Sequence, residues 1–323
     1  MAVAVNRLER GVGPDQVAAH LHTLGGSPVT GMGELDVGVW RVERGDQPTW
    51  VARLLPPSRP LAWAEGDVEI LGLLEELGFP AERPTGPQPL TELDGHALVV
   101  TGHVDGVPRP ARRETIRRLG GLRHLGDLLG RLTTLPDADG AAARPGGAWH
   151  HLVDGTPEAE VAAAAELIDE VAWRVGDGGQ ADVDALRRAV DWIDGAGGLP
   201  EALIHPDFVL PNVVASTEEM VLVDWTGAGR GPRLWPLAYL LWMAGAADLR
   251  RVPLVCAGYR RHVRLEPEEL DRLAAVAAAR PVVLQVWSWW AGRQGLTGTA
   301  RSVTEAVELA TAVAERARAE LSG

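Results

Sequence analysis

His205, Asp207, Asn212 and Asp224 lie within one stretch, residues 203–225, of the 323-residue sequence (LIHPDFVLPNVVASTEEMVLVDW). A carboxylate on a loop can take a proton from an alcohol. An amide oxygen beside a second carboxylate makes a hard, all-oxygen site suited to magnesium. Together these groups equip a chain for phosphoryl transfer. Residues 213–216 and 220–223 are β-branched or apolar runs separated by Thr217, Glu218 and Glu219, which predicts two short antiparallel strands joined by a turn. His205, Asp207 and Asn212 then sit on the loop entering the hairpin and Asp224 at its exit, so folding gathers the carboxylates and the amide.

The pattern His-x-Asp-x-x-x-x-Asn, with Asp-Trp beginning twelve residues after Asn212, resembles the catalytic and metal-binding segments of the aminoglycoside phosphotransferase and choline kinase family, relatives of the protein kinases. Asn212 is one of only two asparagines in the chain, the other being Asn6. The resemblance implies Asp207 as catalytic base, with His205 in the same catalytic segment holding the loop by hydrogen bonding, and Asn212 and Asp224 as ligands for Mg2+. It implies ATP as phosphoryl donor, with GTP left open. It also implies an α+β, two-lobed protein-kinase-like fold, with a nucleotide-binding N-lobe over residues 1–104 and a helical C-lobe over 105–323 carrying the catalytic loop, metal site and acceptor site.

The elements needed to position these groups can be read in order. Residues 15–24 have helical spacing, with Pro14 and Asp15 as start and Gly25-Gly26 as stop. Residues 28–30, 37–42 and 49–54 read as strands, the last two joined by a Gly45-Asp46 turn. Between the first two, Thr-Gly-Met-Gly-Glu-Leu-Asp offers Gly31 and Gly33 as a loop whose amides could approach phosphates. The third strand carries Arg53 where kinase-like folds carry a lysine; by resemblance it clamps the nucleotide phosphates. The helix over 64–77 supplies Glu69 as its expected partner, with Glu65 in reserve. Strands at 88–92 and 96–101 complete a five-stranded antiparallel sheet with one helix. The hinge is placed at 102–106, where the resemblance puts adenine against the backbone of Thr101 to His103.

An amphipathic helix is predicted over 113–135, a mobile loop over 137–149, and helices over 157–175 and 181–193. Five more helical segments follow, near 237–246, 250–262, 267–279, 281–293 and 302–321. The chain departs from the family pattern at several points. Pro206 replaces a glycine, Thr133 stands where a histidine is usual, and the family's two acids after the Asp-Trp pair are missing between Gly227 and Ala238. Trp290 and Arg293, in a tryptophan-rich helix with Trp287 and Trp289, are candidates for acceptor contacts.

A net charge of −13 argues against nucleic acid or an anionic membrane surface as partner and favours a cationic small acceptor, while the family resemblance implies an acceptor that is bulky and cyclic. The charge does not define oligomeric state. All 31 basic side chains are arginine, which excludes a Walker A loop and any lysine-based catalysis. One cysteine, Cys256, and no membrane span or charged leader fit a cytoplasmic protein. The expectation is an ATP-dependent O-phosphotransferase acting on a small molecule, with an antibiotic first among acceptors and an amino alcohol or sugar as alternatives. A kinase-like binding protein with weak or no turnover is the reading from a second class. A metal-dependent hydrolase would need more histidines than this stretch supplies.

Overall fold

Alternation along one strand decides which way Arg53 points. The computed structural model describes residues 11–24, 28–107, 109–136, 143–153 and 155–322. In it, β3 (Gln47–Leu54) buries Trp50, Ala52 and Leu54 on one face. They pack with Trp40, Val42, Leu98 and Val100, and with Val17 and Leu21 of α1 (Pro14–Thr23). Side chains on a strand alternate, so Arg53 falls on the opposite face. There Val99, which is in register with Arg53, packs with Leu55, Ala97 and Ala64 of α2 (Leu61–Glu76).

The sheet has five antiparallel strands in the order β1-β2-β3-β5-β4, with β1 at Gly31–Asp36, β2 at Val39–Arg44, β4 at Leu90–Leu93 and β5 at His96–Gly102. The expected first strand was misplaced. Gly31 and Gly33 belong to β1 itself, and the β1–β2 turn comes later, at Val37 and Gly38 with Gly38 at φ 73°. An exposed, glycine-containing edge strand carries no apolar alternation, so only the pairing reveals it.

Ile70, Leu71 and Leu74 of α2 join the core of the helical part, as do Phe79 and Ala81 just beyond the helix. That part is built from α3 (Arg109–Arg118), α4 (Gly121–Leu132), α5 (Pro157–Ala172), α6 (Gln180–Trp192), α7 (Leu234–Ala247), α8 (Val252–Tyr259), α9 (Pro267–Trp290) and α10 (Leu296–Leu321). Two small antiparallel pairs are set among them, β6 (Glu201–Ile204) with β9 (Gly229–Pro232), and β7 (Val213–Ala215) with β8 (Met220–Leu222). The hairpin expected after Asn212 is therefore present, whereas β9 had no sequence signal.

Two further expectations need correction. The helix over 113–135 is broken between α3 and α4, where Gly120 and Gly121 take φ values of 99° and 56°. Conversely α9 runs through Pro281 without ending, because Val282, Val283 and Val286 are fully buried and packing outweighs the helix penalty of about 3 kcal/mol for an internal proline. The Gly25-Gly26 stop and residues 137–142 of the expected loop lie outside the described residues. No helix among the described residues is long and apolar enough to cross a membrane.

Glycines let α4 and α8 touch backbone to backbone. A Cβ on Gly126 would lie 2.1 Å from the Val255 carbonyl oxygen, and one on Gly258 would lie 2.0 Å from that of Arg123. Main chain cannot swing aside as a side-chain tip can. Gly126→Ala and Gly258→Ala should therefore each cost about 1–3 kcal/mol, read from urea unfolding midpoints, whereas Gly72→Ala, inside α2 with open space around it, should stabilise by about 0.5–1 kcal/mol.

Candidate active site

The loop leaving β6 is organised by a histidine that has no free nitrogen. His205 is fully buried, with its ring edge-on to Trp225 (4.7 Å between centroids) and Phe208 (6.1 Å). Its Nδ1 accepts the Asp207 backbone N–H at 3.0 Å, which fixes the proton on Nε2, and Nε2 then donates to the Val223 carbonyl at 3.2 Å. Burial pushes its pKa down, against the fields of Asp207 and Asp224. A neutral imidazole spent at both nitrogens holds the loop and cannot also carry protons.

Val223 is held from its other side as well, its N–H donating to the Asn212 carbonyl at 2.9 Å. The backbone beside Asp224 is thus tied to both Asn212 and His205. Asn212 Nδ2 donates to the backbone carbonyl and to Oδ2 of Asp207, both at 2.9 Å, so its amide nitrogen is spent on the loop. What remains for a ligand at this point is an amide oxygen and the carboxylates of Asp207 and Asp224.

Asp224 adopts φ 69°, a left-handed conformation unusual for a residue with a Cβ. Its N–H donates to Oε1 of Glu82 at 2.7 Å. Glu82, 3% exposed, also accepts the Thr101 hydroxyl on Oε2 at 2.9 Å and lies 3.5 Å from Nη1 of Arg53. The other fork of Arg53, Nη2, is 3.4 Å from Oδ1 of Asp224. Burial alone would lower the Arg53 pKa, but Glu82, Asp224 and Asp67 together outweigh it and hold it above its usual value.

Arg53 therefore meets acids, though not the expected ones. Glu69 and Glu65 are exposed on the outer side of α2. The buried acid of that helix is Asp67, three residues before Ile70 and so on the apolar stripe that Glu69 only flanks, and it serves other groups. Its Oδ2 accepts from Arg59 at 2.8 Å, while Oδ1 pairs with Arg144 and accepts the Gly227 N–H at 3.1 Å. Glu82 itself was missed. Its only sequence sign is an acid between Pro80 and Pro84, in a segment too short to show periodicity.

Around Thr101 to His103 the main chain is largely committed. The Gly102 N–H donates to Arg83 and the His103 N–H to Thr49, both at 2.9 Å, while the His103 ring approaches Asp105 at 3.2 Å. These two amides are therefore already paired within the protein.

Behind the loop that carries Asp207 is a buried ion pair that the sequence also concealed. Arg280 of α9, 2% exposed, lies 2.8 Å from Glu160 of α5 and donates to the carbonyls of Pro206 (2.9 Å) and Gly147 (3.1 Å). It thereby grips the residue before Asp207. Trp235, standing where a family acid is absent, donates its Nε1–H to the same Gly147 carbonyl at 2.9 Å. Glu160 secures the neighbouring segment by accepting the Trp149 N–H at 2.6 Å. A lone arginine inside the run Val276-Ala277-Ala278-Ala279-Arg280-Pro281-Val282-Val283 was the available clue.

That segment brings His150 and His151 to the site, their rings 3.9 Å apart. Burial, then the charges of His151, Arg59, Arg53 and Arg280, hold His150 well below its ordinary pKa. His151, also lowered by burial, feels Asp224, Asp36 and Asp207. Tyr239, near Asp207 and Arg280, is pushed up to about 12 by burial. Trp149 is edge-on to His151 (5.2 Å) and to Trp287 (5.0 Å), with Arg293 over the far ring at 4.3 Å. Trp290 instead donates to Glu170 of α5 at 2.8 Å, so Trp287 is the tryptophan of α9 that leads back to the loop.

Among the described residues no cluster of three or more His, Cys, Asp or Glu could hold a metal ion. One amide oxygen and one carboxylate, 38% exposed, nevertheless fit a magnesium ion, which keeps several waters and shares substrate phosphates.

A five-stranded sheet joined to a helical part, with the loop of Asp207 and Asn212 and the Asp224-Trp225 pair between them, defines the kinase-like class of phosphotransferases. The chain belongs to the phosphotransferase enzyme family, whose model matches residues 33–264 and whose members are small-molecule kinases acting on hydroxyl groups. Among solved structures, a spectinomycin phosphotransferase in complex with ADP and spectinomycin matches with a TM-score of 0.62 at 14% identity, covering 95% of this chain and 100% of its own. An amicoumacin kinase in complex with AMP-PNP and Ca2+ gives 0.62 at 12% identity, covering 94% of each chain. The choline kinase of Streptococcus pneumoniae gives 0.58 at 12% identity, covering 91% of this chain and 98% of its own. No curated protein matches the sequence significantly.

The buried histidines set an acid limit. His150 and His205 both have folded pKa values below the ordinary 6.5. Below about pH 6.5 the unfolded chain therefore takes up protons that the folded protein refuses, and stability falls as pH falls. Thermal midpoints should hold above pH 7 and drop between about pH 6.5 and 5, with a shallower drop in His150→Gln.

Proposed function

We propose that this chain is an ATP-dependent O-phosphotransferase that moves the γ-phosphoryl group to a hydroxyl of a small molecule. The observation supporting this most directly is the double tether of Val223, which sets Asp224 beside the loop carrying Asp207 and Asn212. In this reading residues 1–104 supply the nucleotide side and 105–323 the acceptor side. Asp207 is the base: its carboxylate, oriented by the Asn212 amide, accepts the acceptor's hydroxyl proton as the new O–P bond forms and the bond from the γ-phosphorus to the bridging oxygen breaks, releasing ADP. His205 fixes the loop and stays neutral. Arg53 turns its fork to the nucleotide phosphates. Asn212 and Asp224 would hold Mg2+, which when bound offsets phosphate charge. The base edge of the nucleotide contacts the coil after His103.

For the acceptor, the spectinomycin and amicoumacin enzymes point to an antibiotic, and the choline kinase to an amino alcohol. The net charge of −13 suits either when cationic. We place a bulky cyclic antibiotic first. A nucleotide-binding protein with little turnover is the second reading, favoured by the ties of Arg53 to Glu82 and Asp224.

The test is Mg2+-dependent ATP consumption across aminoglycosides, macrolides, peptide antibiotics and amino alcohols, beside Asp207→Asn. Turnover with one acceptor class, reduced about 10²–10⁴-fold in the variant while MgADP still binds, is expected. MgADP binding with no acceptor-stimulated consumption in the wild type would favour the second reading.

A further inference from the structure

The cation on β3 of a kinase-like fold needs a carboxylate to aim it, and here the helix that should supply one does not. Asp67, the buried acid of α2, is occupied by Arg59, Arg144 and the Gly227 N–H, and Glu65 and Glu69 face solvent. Glu82 lies beyond the helix, at the seam where the Glu82 N–H donates to the Leu222 carbonyl at 3.0 Å, two residues before Asp224.

We propose that Glu82 is the positioning residue of the phosphate clamp, its one carboxylate setting Arg53 and the main chain of Asp224 as a single unit. This rests on the reading given under Proposed function. Each oxygen of Glu82 has its own duty. Oε1 takes the Asp224 N–H at 2.7 Å and the approach of Arg53 Nη1 at 3.5 Å, and Oε2 takes the Thr101 hydroxyl at 2.9 Å. The short bond to Asp224 is charge-assisted and sustains its left-handed backbone. The arginine contact is longer, an ion pair loose enough to let the guanidinium turn to phosphate. The two forks of Arg53 reach the two acids separately, Nη1 toward Glu82 and Nη2 toward Asp224 at 3.4 Å. A lysine ammonium is one point on a different stem and cannot reproduce that fork. The arginine on β3 and the glutamate at the seam are therefore a matched pair, and restoring the family's lysine should harm the site.

The experiment is titration calorimetry of MgADP on the full chain and on Glu82→Gln, Arg53→Lys, their double variant and Glu69→Gln, with thermal midpoints as a fold check. Glu82→Gln and Arg53→Lys should each weaken MgADP by about tenfold or more, and the double variant little further, since both remove one unit. Glu69→Gln should match wild type. In turnover assays KM for ATP should rise in Glu82→Gln with the acceptor KM unchanged, a split that general loosening of the fold would not give. Wild-type affinity in Glu82→Gln, fully additive losses in the double variant, or a tenfold loss in Glu69→Gln would overturn the proposal while leaving the kinase reading intact. Should Glu82→Gln fail to fold, Arg53→Lys decides: MgADP binding as tight as wild type or tighter overturns it. Absence of MgADP binding to the wild type would overturn both readings.

Discussion

Three residues of main chain, Pro80 to Glu82, do what no side chain in this protein could do alone. The Leu222 N–H donates to the Pro80 carbonyl and the Leu222 carbonyl accepts the Glu82 N–H, so the segment leaving α2 runs as an extra strand against β8. Backbone bonds of this kind fix register. Sliding the segment by one residue would turn Glu82 away from the seam and send Ala81, now in the core with Phe79 and Trp225, toward the charges. The sheet bearing Arg53 and the hairpin bearing Asp224 are thus brought to a common origin by a short ladder.

The charges gathered there are held by opposition. A guanidinium 13% exposed and a carboxylate 3% exposed each carry a desolvation cost that their mutual attraction must offset. The same holds for Arg280 and Glu160, both almost wholly out of water. Such pairs add little net stability compared with apolar packing, but removing one partner leaves the other stranded. What they contribute is placement. Arg280 grips the Pro206 carbonyl, so the stiff proline that replaces a glycine sits against a fixed donor, and Asp207 follows from an anchored point.

The sequence made local groups legible and left distant partners hidden. The segment from His205 to Asp224 announced itself because its residues are adjacent in the chain and their spacing matches a hairpin. The five-strand sheet, α2 and most C-terminal helices were legible from periodicity, while β1 was displaced because an exposed edge strand has no buried face to mark it. Glu82, Arg280 and Glu160 escaped for a different reason. A single charged residue in a linker or an apolar helix reads as surface or as noise until folding sets it against a partner 29 or 120 positions away, as Arg53 is to Glu82 and Glu160 to Arg280. Asp67, in line with Ile70 and Leu74, was the acid the apolar stripe marked as buried, whereas Glu69 only flanks that stripe and is exposed.

The guanidinium at position 53 has one more consequence. Its pKa is held above an already high value by the acids around it. A lysine in the same place could lose its charge to burial or to acetylation, the modification by which cells silence lysine-dependent sites. Arg53 offers neither handle, and a chain with no lysine at all offers none anywhere along its side chains. The positive charge at this position is therefore fixed, whatever the acids around it do.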